Sequence, residues 1–153
     1  MDITKLPNKI LAEKTVAVPI EEIKNSSYKE LISIMRKEMK EHEGVGLAAN
    51  QINKDLSIFV IDENVARQAG VTDVFINPEI TEYSKESDEL EEGCLSIPGF
   101  NANIIRSKKI KIKALDENGK KIKLKARGFL ARIIQHETDH LNGLTIKDRV
   151  NKK

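Results

Sequence analysis

The sequence predicts an α+β fold: mostly antiparallel β-sheet packed around a C-terminal helix, with a further helix towards the N-terminus. Three observations carry this. Residues 128–134, Gly-Phe-Leu-Ala-Arg-Ile-Ile, propagate a helix into Gln135-His136-Glu137-Thr138-Asp139-His140-Leu141-Asn142-Gly143, where Gly143 suits a left-handed cap. Lys109-Ile110-Lys111-Ile112-Lys113-Ala114 and Lys121-Ile122-Lys123-Leu124-Lys125 alternate strictly about the turn Asp116-Glu117-Asn118-Gly119, which is a β-hairpin pattern. The order of elements is helix, several strands, then helix.

At 153 residues the chain has the length of one domain, 1–153, with 1–25 as an irregular arm carrying Pro7 and Pro19. A capping-box pattern, Ser27 with Glu30, opens the first helix, whose Leu31, Ile34, Met35 and Met39 form a buried stripe. His42 near its end lies between Glu41 and Glu43 and reads as part of a solvated face. In Gly44-Val45-Gly46-Leu47-Ala48-Ala49-Asn50-Gln51 the small residues permit close backbone approach, and Gln51 can offer an amide donor to a developing oxyanion. The segment lacks the spacing and the Gly-Lys-Ser/Thr ending of a phosphate loop.

Residues 56–61 read as a buried strand, and 74–78 as a second that stops at Pro78, with a third over 79–83. The acidic run 86–92 reads as a solvated loop leading into Cys94. The hairpin presents one apolar face and one row of lysines. That row reads as a solvated face blunting an edge strand, with ribosomal RNA binding as the alternative.

Net charge is +2, so charge alone argues for neither nucleic acid nor membrane. No apolar run approaches the roughly 20 residues needed to span a bilayer, and the start resembles neither a signal nor a transit peptide. A cytoplasmic location is expected, or an organellar one with a presequence removed. The single cysteine excludes an internal disulfide and suits a reducing compartment.

The chemistry centres on His136 and His140. Four residues apart on one helical face, their Cβ atoms lie about 5–6 Å apart, so both imidazoles reach one ion of zinc-like size. Glu137 is turned away from that pair but close enough to take a proton from an activated water, the HExxH arrangement. A hydrolytic ion needs a third protein ligand. The place three residues after the glycine, where one group of HExxH proteases has histidine, is Ile146, and Asp148 is the only later carboxylate. The ligand therefore comes from upstream, and Cys94 in Glu91-Glu92-Gly93-Cys94-Leu95-Ser96-Ile97-Pro98-Gly99 completes a Cys-His-His set. There Gly93 and Pro98-Gly99 are expected to supply turns.

Three segments together resemble the bacterial and organellar peptide deformylases. Residues 44–51 match that family's GxGLAAxQ, residues 92–96 its EGCLS, and residues 135–143 its QHExDHLxG, at every specified position and in the family's order. The resemblance implies hydrolysis of the formyl group from the N-terminal formyl-methionine of new polypeptides, releasing formate. It implies a metal held by Cys94, His136 and His140, Glu137 as general base and then acid, and Gln51 with the Leu95 N–H as oxyanion donors. By the same analogy Val45, Gly46, Glu92, Phe129 and Ile133 surround the methionine side chain or pair with the peptide. Phe129 and Ile133, at i and i+4 one turn before His136, independently suit an apolar pocket. One divalent ion per chain is implied, Fe(II) as the working ion, with Zn(II), Ni(II) or Co(II) as replacements.

The sequence departs from the family pattern at Asn101 and Ala12, where many relatives have arginine. It lacks the long C-terminal helix by which some relatives dock on the ribosome, so transient ribosome association is not implied. The alternatives are an HExxH zinc endopeptidase, and a non-catalytic metal-binding or ribosome-associated module, against which Glu137, redundant for structure, argues.

Overall fold

The computed structural model describes residues 2–150. Five antiparallel strands form the main sheet: β1 (Gly46–Ala48), β2 (Ile58–Ile61), β3 (Val74–Tyr83), β6 (Lys109–Leu115) and β7 (Lys121–Arg127), neighbours in that order. A separate ribbon pairs β4 (Ser87–Gly93) with β5 (Asn101–Ser107). The α+β architecture expected from the sequence is the one observed.

Both faces of β2 are covered. Phe59 and Ile61, with Phe75 of β3, pack towards α4 (Gly128–Leu141), while Ile58 and Val60, with Val74 and Ile76, pack towards α2 (Lys29–Glu41). That is why these strands read as continuous apolar runs and the hairpin strands, covered on one side, alternate. Phe59 and Phe75 stack with ring centroids 4.8 Å apart, and burying each contributes roughly 1.5–3 kcal/mol. Ile110, Ile112, Ala114 and Ala126 close the hairpin's inner face over α4, so the helix that carries His136 and His140 packs against the sheet.

In α2, Met35 and Met39 are fully buried, Leu31 and Ile34 half-buried, and Ile32 joins the stripe. Ser27 does not cap this helix. Tyr28 is the N-cap, without a side-chain bond, because Asn25 captures the Ser27 N–H at 3.2 Å and its hydroxyl in a local turn. His42 is the exposed C-cap residue.

Three further expectations need correction. Pro78 does not end β3: it sits at a register shift between Ile76 and Glu79 where no ladder donor is required, so the two expected strands are one. Asn77 there takes φ 50° and exchanges two 2.8 Å bonds with the Val18 backbone, fastening the arm to the sheet. The acidic run is not a loop but β4, paired through its length with β5. Its alternation turns Glu92 inward against arginines, a partnership that local composition does not reveal. Gly93, finally, ends β4 instead of making a turn. A Cβ there would lie 2.5 Å from Oδ1 of the exposed Asn101 side chain, whereas Gly99 does take a left-handed φ of 76°.

The arm is mostly extended, with a 3-10 turn at Lys9–Ala12 and a short helix, α1 (Ile20–Lys24), which the sequence reading did not separate. It also left out α3 (Glu63–Ala69), capped by Asp62, and α5 (Ile146–Arg149), capped by Thr145. Among the described residues no helix is long and apolar enough to cross a membrane.

Candidate metal centre

Helix α4 supplies two of three converging donors. Cys94, immediately after β4, brings its Sγ to 3.2 Å from His140 Nε2, and one donor atom each from Cys94, His136 and His140 lie within 4.8 Å of one another. Helical spacing puts both rings on one face, with centroids 5.0 Å apart. A thiolate and two imidazoles form a donor set suited to a divalent transition metal.

Charge at the centre also favours a cation. Burial pulls the His136 imidazole down, yet Cys94, Glu137 and Glu92 outweigh it and raise its pKa to about 10. Burial pushes His140 well below its usual value, with His136 and Arg106 adding to the effect, leaving a neutral imidazole of the kind that ligates.

The ring of His136 is oriented from behind. Its Nδ1 lies 2.9 Å from Glu92 Oε1, which leaves Nε2 for the ligand position. Arg106 fixes Glu92 with two bonds of 3.0 Å, from Nε and Nη2, and Arg132 Nη1 donates to the same carboxylate. Arg106 continues to Asp139, which also holds Arg149, while Arg132 reaches the Ile104 carbonyl at 3.0 Å and Asp88 Oδ1 at 2.8 Å. Glu92 lines the cleft, but its oxygens are committed to these cations, so its geometry is that of a support for His136 more than a peptide contact. Burial raises the Glu92 carboxyl, but bonds from His136 and Arg106 prevail and lower its pKa to about 2.

Glu137 is 3% exposed, with Oε2 4.0 Å from His136 Nε2. Its Oε1 is buried and has no partner among the described residues. Burial raises its pKa to about 7, Glu92 and Asp139 adding to the effect against His136 and Arg106, so the carboxyl is matched to proton exchange near neutrality. Gly46 of β1 makes room for it: a Cβ there would stand 2.6 Å from Glu137 Oε2.

Gln51, in a 3-10 turn at Ala49–Ile52, is locked by its Oε1 accepting the Ala48 N–H at 3.0 Å. Its Nε2 donates to Ser96 Oγ at 3.1 Å and lies 3.7 Å from Cys94 Sγ, aiming the amide at the thiol. The Leu95 N–H donates to no backbone carbonyl among the described residues. Asn50, next to Gln51, donates to the His140 carbonyl at 2.6 Å. Thr15 of the arm donates to the Leu141 carbonyl through N–H at 2.8 Å and hydroxyl at 3.0 Å. Gly143, at φ 78°, abuts the Ala12 backbone, which a Cβ would approach to 2.8 Å.

These groups open onto a cleft of about 1010 Å³, which Val45, Gly46, Gln51, Glu92, Cys94, Leu95, Phe129, Ile133, His136 and Glu137 all line. His140, fully buried, lies behind it. Phe129, 55% exposed, stands at the mouth and Ile133 is buried one turn further in. The supporting residues Arg106, Arg132, Ser96 and Asn50 were not singled out from the sequence. Arg132 carried a signal, a lone cation inside the apolar run 129–134.

A family model described as polypeptide deformylase matches residues 1–153. The chain belongs to the polypeptide deformylase family. Peptide deformylase 1 of Pseudomonas syringae pv. tomato is 40% identical over 161 residues, covering 100% of this chain and 93% of that protein. The peptide deformylase of Treponema pallidum (strain Nichols) is 42% identical over 139 residues, covering 91% and 82%. The actinonin-bound class I type b peptide deformylase from Acinetobacter baumannii superposes with a TM-score of 0.90 at 33% identity, covering 99% of this chain and 98% of that one. The Thermotoga maritima peptide deformylase gives 0.86 at 36%, covering 97% and 96%. The family is one of metal-dependent hydrolases, in agreement with the Cys94, His136 and His140 group found in the cleft.

Proposed function

We propose that this chain removes the formyl group from the N-terminal formyl-methionine of newly made polypeptides, releasing formate and a free amine, as a single metallohydrolase domain in the cytoplasm. The observation that carries the reading is the convergence of Cys94, His136 and His140 beside a buried Glu137 with no committed partner for Oε1, within a cleft lined by Gln51 and Leu95.

Cys94, His136 and His140 would hold one divalent ion, which when bound would supply Lewis acidity towards water and the formyl carbonyl. Glu137 takes the proton of the attacking water and later gives it to the leaving nitrogen. The Gln51 amide and the Leu95 N–H donate to the oxygen that gains charge, and Gln51 costs little reorganisation because its other end is fixed to Ala48. Phe129, Ile133 and Val45 receive the methionine side chain, with Gly46 and Glu92 alongside. The formyl carbon bears only hydrogen, so a site crowded by Gly46 against Glu137 admits it and resists bulkier acyl groups.

The working ion is Fe(II), with Ni(II), Co(II) and Zn(II) as replacements. A thiolate ligand donates charge and weakens the Lewis acid, so the ion's identity affects rate strongly. The test is formate release from formyl-Met-Ala-Ser beside cleavage of an unformylated peptide, using protein loaded with each ion. Formate release, fastest with Fe(II), Ni(II) or Co(II), is expected. Cleavage of the unformylated peptide alone would make the chain an endopeptidase, and equal rates with zinc would overturn the assignment of iron.

A further inference from the structure

The outer face of the β6–β7 hairpin carries more cations than its facing carboxylates answer. Lys109 lies opposite Arg127, Lys111 opposite Lys125 and Lys113 opposite Lys123, all on the exposed face. Like charges directly opposite across an antiparallel pair are destabilising. Protection of an exposed edge suits the cations of β7, the edge strand, and the facing carboxylates of β3 suit Lys111 and Lys113 of β6, but neither answers Lys109 or reduces the repulsion within the hairpin. Only two of the six are answered: Glu82 reaches Lys111 at 3.1 Å and Glu79 reaches Lys113 at 3.7 Å. Among the described residues, Lys109, Lys123, Lys125 and Arg127 have no ion-pair partner. Lys109, Lys111, Lys125 and Arg127, with Ser84 and the Glu82 that pairs with Lys111, line a groove of about 570 Å³ on a chain whose net charge is only +2.

We propose that this groove binds the phosphate backbone of duplex RNA. Lysines two apart on a strand repeat at roughly 6.6–6.8 Å, in two rows about 4.5–5.5 Å apart, which makes a ladder of mobile point charges able to follow a phosphate chain. The large exposed apolar side chains among the described residues are Val16, Val45, Tyr83, Leu90 and Phe129, none on this face; Tyr83 pairs with the inward-facing Ile110. The groove therefore offers no ring for stacking unpaired bases and no apolar anchor for a bilayer. Contact through backbone and shape, the mode in which double-stranded RNA is read, remains. Arg127 immediately precedes Gly128, where α4 begins, so RNA held here lies at the root of the helix that carries His136 and His140. The choice of RNA over DNA rests on the proposed function, because newly made polypeptides emerge beside structured RNA.

The test titrates a labelled RNA duplex of about 20 base pairs, and the same sequence as DNA, with metal-loaded protein across a salt series. The three unpaired cations of the groove, Lys109, Lys125 and Arg127, at a slope of about 0.9 each predict that log affinity falls with log salt with a slope of about −2.7. Lys109→Gln/Lys125→Gln/Arg127→Gln should weaken RNA binding at least tenfold and flatten the slope by about 2.7. Formate release from formyl-Met-Ala-Ser should not change. Lys9→Gln/Lys37→Gln/Lys54→Gln, which removes equal charge elsewhere, should leave binding within about twofold. Absence of binding at low salt, or equal losses in the two triple variants, would overturn the site, and equal affinity for DNA would overturn its assignment to RNA. A parent protein that binds RNA through this face but releases no formate would count against the proposed function and leave the surface standing.

Discussion

Gly46→Ala asks whether the position of the Glu137 carboxylate, and not only its presence, sets the rate. The added Cβ would stand 2.6 Å from Glu137 Oε2 and 2.9 Å from both Cδ and Cγ, whereas ordinary contact begins near 3.4 Å, so the oxygen must withdraw by about 0.8 Å. The strand has little freedom to yield, because Gly46, Leu47 and Ala48 are laddered to Ile61, Val60 and Phe59 of β2. A displacement of about 1 Å costs on the order of 10²-fold in rate, within the 10²–10⁴-fold range of a general base. We expect kcat for formyl-Met-Ala-Ser to fall about 10²-fold with metal content unchanged. Overpacking should cost about 1–3 kcal/mol, visible as a lower Tm in a folded protein. Once the carboxylate is gone the extra methyl has little left to displace, so Gly46→Ala/Glu137→Gln should be scarcely slower than Glu137→Gln alone. A kcat within threefold of the parent, or losses that simply add in the double variant, would refute the reasoning.

Glu137→Gln itself should keep the metal and lose about 10²–10⁴-fold in kcat, read by metal analysis beside formate release; activity within tenfold of the parent would remove Glu137 from its role. Gln51→Leu should fold normally and slow the chemical step by about 10²–10³-fold, the usual loss for one oxyanion donor, and an unchanged single-turnover rate would return Gln51 to packing. Glu92 gives a pH signature in protein stripped of metal. Its folded pKa is lowered from 4.5 to about 2, so its stabilisation is complete above about 4.5 and is lost as pH falls towards 2. The urea midpoint of Glu92→Gln should accordingly lie below the parent's by a margin greatest between about pH 4.5 and 6.5; it should shrink below pH 4.5 as Glu92 protonates, and again above 6.5 as the stabilisation of the His136 imidazolium, to which Glu92 contributes, is lost towards pH 10; a margin independent of pH would exclude this account.

What the sequence disclosed was local. His136 and His140 fall on one face because of helical spacing, the hairpin follows from alternation about Asp116–Gly119, and Gly143 ends α4 with a left-handed φ of 78°, as a capping glycine should. What stayed hidden depends on distant partners. Residues 86–92 read as a solvated loop until Arg106 of β5 and Arg132 of α4 neutralise Glu92 across 14 and 40 positions of chain. Pro78 reads as a strand end until the register shift accommodates it. Gly46 reads as a place of close backbone approach, and only the structure shows that the approaching group is Glu137, 91 positions later. The short helices α1, α3 and α5 have too few turns for a periodic signal.

The final turn of α4 is closed from outside the helix. Asn50 takes the His140 carbonyl, Thr15 takes that of Leu141, and Gly143 abuts Ala12. Carbonyls that water would satisfy at a free helix end are here held by segments more than 85 positions away, so fraying of this turn requires the arm to peel off. His140 belongs to that turn. If His140 ligates as proposed, the residence time of a bound ion is tied to how often the arm opens, and linkage makes the tie mutual: metal loading should protect the amides of residues 12–15 from exchange, and trimming the arm should shorten the lifetime of the ion.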